Sequence, residues 1–339
     1  MSLGFNFGHS TKASEVANVF ADRIKGRIIA ITGVSRSGLG GAAARALADH
    51  DPELLILVSR TQSKLDEVIA DIKAVKPHVN VKSVLVDLIS QVSVRKAAEE
   101  IKALAPRLDI LINNAGLTVF ERKYSPEGVE TQLAANHLGP FLLTNLLKDR
   151  LLAAAKNSLP GATRIINVAS ETHRACPFRF HDYNSEGKPI PPEEVGSVHL
   201  WPSAFQRIED GYMGFQTYSH TKTANILFTV GLNKRLAGAG ILSYTLHPGT
   251  IATEMGRDMP SDVQSQLGEI LAQFKPKPST EEGSSTTLVA ALHPALNEMS
   301  EGKLYLEDCQ FANPEPYAVD SEKADKLWVL SEELVGQKF

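Results

Sequence analysis

The sequence predicts an α/β fold: a doubly wound parallel sheet in one domain, carrying an insertion that covers a pocket. Three observations predict it. Short β-branched apolar runs alternate with longer helical patterns. Most of those runs are almost continuously apolar, as strands covered on both faces are. The first strand–helix junction is the glycine-rich Thr32-Gly33-Val34-Ser35-Arg36-Ser37-Gly38-Leu39-Gly40. Strand–helix alternation implies parallel strands joined by right-handed crossovers.

In chain order, residues 1–25 form a flanking helix with Val16, Val19, Phe20 and Ile24 on one face. Strands are expected at 27–32, 54–58, 81–86, 108–112, 163–168 and 241–246. Helices are expected at 39–49, 62–75, 91–104, 127–155 (a pair) and 219–237, and another opens at Glu281-Glu282 behind the capping Ser279-Thr280. Residues 177–214 and 250–278 lack periodicity. Irregular stretches of this length are either functional or disordered. The aromatic content of 177–214, including Phe178, Tyr183, Trp201, Phe205 and Phe215, argues against disorder. Both stretches are expected to wall and cover a substrate pocket.

Composition excludes several classes. With 339 residues, 43% hydrophobic and 22% charged, the chain has the make-up of an ordinary globular protein. A net charge of −4 argues against a general nucleic-acid surface. Cys176 and Cys309 are too few for a disulfide framework, which suggests a reducing compartment, and Cys176 reads as a buried structural thiol. Residues 1–25 show no signal-peptide pattern and no apolar run is long enough to cross a bilayer, so a cytoplasmic location is expected. His173, His181, His199 and His247 do not share ligand spacing on one element, so no metal site is expected.

The glycine turn follows a strand and opens a helix, the setting in which such a turn cradles a pyrophosphate. Gly33 permits the tight turn; Gly38 and Gly40, flanking Leu39, let the backbone approach the phosphates. By itself the motif is also a plain strand–helix junction. An NAD site usually has an acidic residue about twenty positions on, at the end of the second strand. Here Ser59-Arg60 stand at that place. Arg60, with Arg36 from the glycine turn, suits the 2′-phosphate of NADP(H), the plain alternative being two solvated arginines. Asp87, after the third strand, is placed to accept from the adenine amino group. Asn113-Asn114-Ala115-Gly116 ends the fourth strand, where the cofactor ribose would pass; either feature alone would be an ordinary turn.

Tyr218 is the candidate acid–base, with Lys222 one helical turn later on the same face. A neighbouring ammonium and a positive nicotinamide ring are expected to pull the phenol's pKa down from about 10. Lys222 would also hold the nicotinamide ribose. Ser170, ending the fifth strand, would hydrogen-bond the substrate oxygen. Asn136 would hold a water linking Lys222 to solvent, unless it is simply a helix-kink residue.

Together these residues resemble the short-chain dehydrogenase/reductase family, with its Rossmann fold, over about residues 15 to 335. The finer similarity is to the retinol-dehydrogenase-like and WW-domain-oxidoreductase-like branch. It is carried by Asn136-His137-Leu138-Gly139-Pro140-Phe141, by Arg164-Ile165-Ile166-Asn167-Val168-Ala169-Ser170, by Tyr218-Ser219-His220-Thr221-Lys222 and the residues after it, and by the terminal Lys326-Leu327-Trp328. His247-Pro248-Gly249-Thr250-Ile251-Ala252-Thr253 resembles the family's nicotinamide-contacting segment, which implies contacts from Ile251 and Thr253. The resemblance also implies a homo-oligomer, although the C-terminal additions would leave a monomer if they cover the helix interface. Three departures stand out. Four residues separate Gly33 from Gly38 where the family has three, Ala169 replaces a common serine, and 177–214 is unusually long. The long loop shares little with animal retinoid enzymes and is similar to fungal members that serve secondary metabolism. The expected function is an NADPH-dependent oxidoreductase acting on a ketone or secondary alcohol of a bulky apolar small molecule. The alternative is an NADP(H)-binding regulatory protein or a non-redox cyclisation enzyme on the same fold.

Overall fold

In a computed structural model, the described residues are 6–251, 263–264, 272–273, 275–299 and 302–339. Eight strands form one sheet: β1 (Ile28–Thr32), β2 (Leu54–Ser59), β3 (Val81–Leu85), β4 (Ile110–Asn113), β5 (Thr163–Val168), β6 (Ile241–His247), β7 (Tyr305–Glu307) and β8 (Gln310–Phe311). Their order is β3-β2-β1-β4-β5-β6-β7-β8, all parallel except the final β7–β8 pair. The order reverses between β1 and β4, and at such a switch point the strand ends leave a crevice for a ligand.

Alternation along each strand assigns the two layers. Ile28 and Ala30 of β1 join the core on one face, while Ile29 and Ile31 join the core on the other. The helices are α1 (Ala13–Val19), α2 (Ala21–Ile24), α3 (Leu39–Ala48), α4 (Gln62–Val75), α5 (Gln91–Leu104), α6 (Gly139–Leu146), α7 (Lys148–Ala155), α8 (Gly214–Leu236), α9 (Thr280–Leu292) and α10 (Ser321–Val335). One layer takes Val94 and Ile101 of α5, Phe141 of α6, and Leu327 and Trp328 of α10. The other takes Val16, Leu47 of α3, Val68 of α4 and Leu288 of α9. Each such side chain is worth roughly 1.5–3 kcal/mol in burial.

One buried cation locks the second layer. Arg164 on β5 is 1% exposed and donates to Gly161 O, Ala290 O, His293 O and Asn297 Oδ1 at 2.6–3.0 Å. Its guanidinium thus meets carbonyls at the C-terminal end of α9, the negative end of the helix dipole. Burial pulls its pKa down to about 10.

Several expectations change. Val16, Phe20 and Ile24 are buried, but Val19 is 49% exposed, because the N-terminal segment breaks between α1 and α2 at Phe20. The region expected as two helices from 127 begins only at Thr131, passes through a π turn at Ala134–Leu138, and continues as α6 and α7. The β7–β8 hairpin was not expected. Its turn places Asp308 (φ 47°) and Cys309 (φ 64°) in the left-handed region without the glycine that usually signals such a turn. Cys309 N–H is held there by Thr286 Oγ1 at 3.1 Å. Ser279 caps α9 by accepting from Glu281 N at 3.1 Å, as expected. The 250–278 stretch, Thr253 included, lies largely outside the described residues.

Candidate active site

The crevice begins at the glycine turn. Gly33 has φ 73°, and a Cβ there would stand 2.6 Å from Ala115 Cα. A Cβ at Gly41 would come within 2.1 Å of Ser35 O, so this glycine, which the motif reading stopped short of, is the tightest point of the cradle. The extra residue between Gly33 and Gly38 is absorbed by a turn closed by Gly38 N–H to Ser35 O at 3.1 Å. That turn carries Arg36 outward. Its guanidinium binds Asp71 through two hydrogen bonds of 2.9 and 3.0 Å and does not line the groove, which corrects its expected role toward a phosphate.

From this turn a groove of about 440 Å³ runs past Leu39, Arg60 and Asp87 to Gly116. Lys64, one turn into α4, stands with Arg60 at its end; sequence reading missed it, although its spacing from Arg60 on an opening helix was available. Asp87 accepts from Ile89 N at 3.1 Å. Asn114 Nδ2 donates to Thr32 O (2.8 Å) and Gly33 O (3.2 Å), and Ala115 N to Thr32 Oγ1, tying the end of β4 to the glycine turn. Asn113 is different. It is 4% exposed, spends its amide on Thr144 and Asn167, and lines no part of the groove, so it braces strands where a cofactor contact was expected. A cleft whose wall admits no Cβ, with cations at one end and an acid beside them, fits a nicotinamide dinucleotide.

A second cavity of about 210 Å³ shares Leu39 and Asn114 with the groove and is lined by Ser170, Tyr218, Lys222 and Ile251. Lys222 is 2% exposed, donates to Val168 O at 2.9 Å, and lies 5.5 Å from the Tyr218 ring centre. Burial pulls its pKa down to about 8. Tyr218 departs from expectation: burial pushes its phenol above the usual range, and the opposing hydrogen bond with Ser170 does not compensate. The protein's own groups therefore hold a protonated phenol. Ser170 is fixed in turn by His173, whose Nδ1 bonds Ser170 O at 2.7 Å while its Nε2 accepts from Glu315 N at 3.2 Å. Asn136 sits within the π turn, a feature frequent at functional sites. Its amide is engaged with Leu117 N, Leu117 O and Thr221 Oγ1 at 2.8–3.1 Å, so both amide protons are already committed and none is left to hold the water expected of it.

The 177–214 insertion folds over this cavity as short turns. Phe205 stacks on Phe215 at 4.4 Å and Trp201 meets Phe215 at 5.2 Å, forming an aromatic wall. Tyr212 roots the insertion, donating to the buried Glu130 at 2.9 Å and accepting from Gln132 at 2.6 Å. Burial raises the Glu130 pKa to about 7. Cys176 is fully buried outside the cavity lining, its thiol pushed up to about 12 by burial, the behaviour of a structural cysteine. His247 lies 3.8 Å from the Glu171 carboxylate, and the ligand atoms of Glu171, His247 and Glu307 all fall within 4.8 Å of one another. His247 Nδ1 accepts from Glu171 N at 3.1 Å, so the ring proton is on Nε2 and a neutral ring in this pose has no lone pair to give a metal.

The groove, the Ser–Tyr–Lys cluster and the strand order define an oxidoreductase of the dinucleotide-binding α/β class. The short chain dehydrogenase family profile matches residues 27–185. Human retinol dehydrogenase 12 is 34% identical over 320 residues, covering 94% of this chain and 89% of the relative. Oxidoreductase fscI of Fusarium equiseti is 35% identical over 245 residues, covering 72% and 94%. A solved structure of an uncharacterised protein from Mycobacterium Paratuberculosis superimposes with TM-score 0.65 at 26% identity, covering 93% and 96%. The fold is shared too with Pseudomonas aeruginosa RhlG, solved as an NADP complex, at TM-score 0.58 and 21% identity over 81% and 93%. The chain belongs to the short-chain dehydrogenase/reductase family: an oxidoreductase of CH–OH and C=O groups that uses a nicotinamide cofactor. No helix among the described residues is long and apolar enough to cross a membrane.

Proposed function

We propose that the protein is an NADPH-dependent reductase of a ketone in a bulky apolar molecule, running in reverse as a secondary-alcohol dehydrogenase. The observation that carries this reading is the meeting of Ser170, Tyr218 and the buried Lys222 in one cavity that shares Leu39 and Asn114 with the dinucleotide groove. Arg60 and Lys64, where an acidic residue would favour NAD, support NADPH. Asp87 and the Asn114–Gly116 turn would hold the adenosine and ribose, and Ile251 the nicotinamide.

When bound, the nicotinamide would supply hydride to the carbonyl carbon. Tyr218 Oη gives its proton to the carbonyl oxygen, and the Ser170 hydroxyl donates a hydrogen bond to the same oxygen as negative charge gathers there. The Lys222 ammonium, oriented by Val168 O, stabilises the phenolate left behind. Asn136 serves through its π turn, which opens the main-chain ladder for a water that returns a proton. The outer face of α8 supports a monomer. Trp328 of α10 covers Gly231 of α8, and the Arg235 guanidinium lies 3.9 Å from the Trp328 ring. Sedimentation checks it: a dimer at micromolar concentration would contradict the assignment.

The test is titration with NADPH and NADH, followed by NADPH oxidation across a panel of bulky ketones. Tighter NADPH binding with turnover is expected. NADH preference would overturn the assignment of Arg60 and Lys64, and NADPH binding without oxidation by any ketone would favour the non-redox alternative.

A further inference from the structure

The cavity beside Tyr218 has two unlike walls. One is the trio Trp201, Phe205 and Phe215, an apolar wall in which Phe205 stacks on Phe215 and Trp201 is inclined to both. The other is polar, formed by Glu171, Thr172 and His247. The main-chain N–H of Glu171 can only donate, so the His247 Nδ1 that receives it is an acceptor and the neutral ring's proton sits on Nε2. That Nε2–H stands 3.8 Å from a Glu171 carboxylate oxygen. The separation is too long for a direct hydrogen bond, yet one hydroxyl oxygen at about 2.8 Å from each would bridge it. The Glu171 carboxylate, 32% exposed, stays open to a ligand or to water, and the buried Thr172 hydroxyl is unpartnered. Glu307, the third group of the cluster, faces Arg174 at 3.9 Å. A donor and an acceptor therefore lie side by side in the cavity with neither satisfied by the other.

We infer that the substrate's ketone is carried on an apolar skeleton bearing a second hydroxyl, the skeleton packing against Trp201, Phe205 and Phe215 and the hydroxyl bridging Glu171 and His247. The hydroxyl donates to the Glu171 carboxylate and accepts from His247 Nε2–H; the Thr172 hydroxyl is at hand for a neighbouring oxygen. The ketone in this statement rests on the reductase reading, whereas the hydroxyl site rests on the geometry alone. An analogue that lacks the hydroxyl leaves the buried His247 Nε2–H without that partner, while Glu171, 32% exposed, exchanges it for water, so such an analogue binds more weakly.

The test uses the full chain with NADPH and three sets of probes: ring-hydroxylated tetralones, their methyl ethers, and unsubstituted tetralone. Affinity is read by calorimetry and turnover by NADPH oxidation. At least one hydroxytetralone is expected to bind about three- to tenfold more tightly than its ether, the factor of a hydrogen bond to a partly solvated carboxylate. In Glu171→Ala that advantage is expected to vanish, and in Glu171→Gln, which keeps the side chain's shape, to shrink; circular dichroism checks that both are folded. Equal affinities for every hydroxytetralone and its ether, or an advantage that survives Glu171→Ala, would overturn the inference. A hydroxyl preference in binding without NADPH oxidation would instead overturn the reductase reading and leave the hydroxyl site standing.

Discussion

The two ends of the crevice are made of different materials. The dinucleotide end is made mainly of backbone: glycines that exclude a Cβ, strand termini and the start of α3, with Asn114 tying β4 to the turn and the side chains of Arg60, Lys64 and Asp87 at its far end. The substrate end is made of side chains, with an aromatic trio, a buried lysine and a set of buried neutral histidines. Backbone recognition suits a ligand with fixed phosphate chemistry, which many proteins share. Side-chain recognition suits a ligand particular to one enzyme. The contrast predicts that damage at one end should leave the other working.

The largest effect should come from Tyr218→Phe, which removes the proton donor while leaving the glycine cradle intact. We expect kcat to fall by about a thousandfold with NADPH binding kept within about threefold, as stopped-flow and titration would show. Turnover near wild type would break the comparison at its centre. Next comes Gly33→Ala, which places a Cβ against Ala115 Cα at a backbone angle that suits glycine. It should weaken NADPH binding by about a hundredfold, the cost of roughly 3 kcal/mol of strain at the turn, while ring ligands still reach the aromatic wall. Third, Arg60→Ala should weaken NADPH by about tenfold and leave NADH unchanged, whereas Arg36→Ala should alter neither, because Asp71 already holds that guanidinium outside the groove.

The smallest effect sharpens the contrast through pH. Burial holds the pKa values of His137, His220 and His247 near 3 and that of His173 near 4, below the ordinary 6.5. The unfolded chain therefore binds more protons between pH 6.5 and about 4, so stability falls as pH drops through that window. Glu130 works the other way: raised to about 7, it contributes stability at low pH that is lost as pH rises from 4.5 through 7. Four histidines outweigh one glutamate, and Tm should drop by about 5 °C or more from pH 7 to pH 5. All four histidines lie toward the substrate end or the π turn, so hydrogen exchange should quicken there before it does in β1–β3. Uniform quickening would erase the distinction.

The same division explains what the sequence made legible. Strands covered on both faces are largely apolar, so most of the six expected strands were readable from composition, β3 with its exposed Lys82 and Leu85 being the exception, and the pair Tyr218 and Lys222 shares a helical face by spacing. Local patterns of that kind survive in a linear reading. The β7–β8 turn did not, because Asp308 and Cys309 take left-handed angles without glycine and are held there by α9 from a distance. Arg36 misled for a related reason. An inserted residue announces a change in loop length but not the direction in which the loop bends. The Glu171–His247 pairing joins residues far apart in the chain, and it exists only because β5 and β6 are neighbours that end together. Asn136 showed its motif but not the π turn that commits its amide to Leu117.

The outward turn at Ser35–Gly38 also has a practical use. Because Arg36 stands exposed outside the groove that Ser35 and Gly38 line, position 36 is a rim site: a small dye attached there is expected to ride at the edge of the phosphate cradle, and its emission to report when the cradle fills.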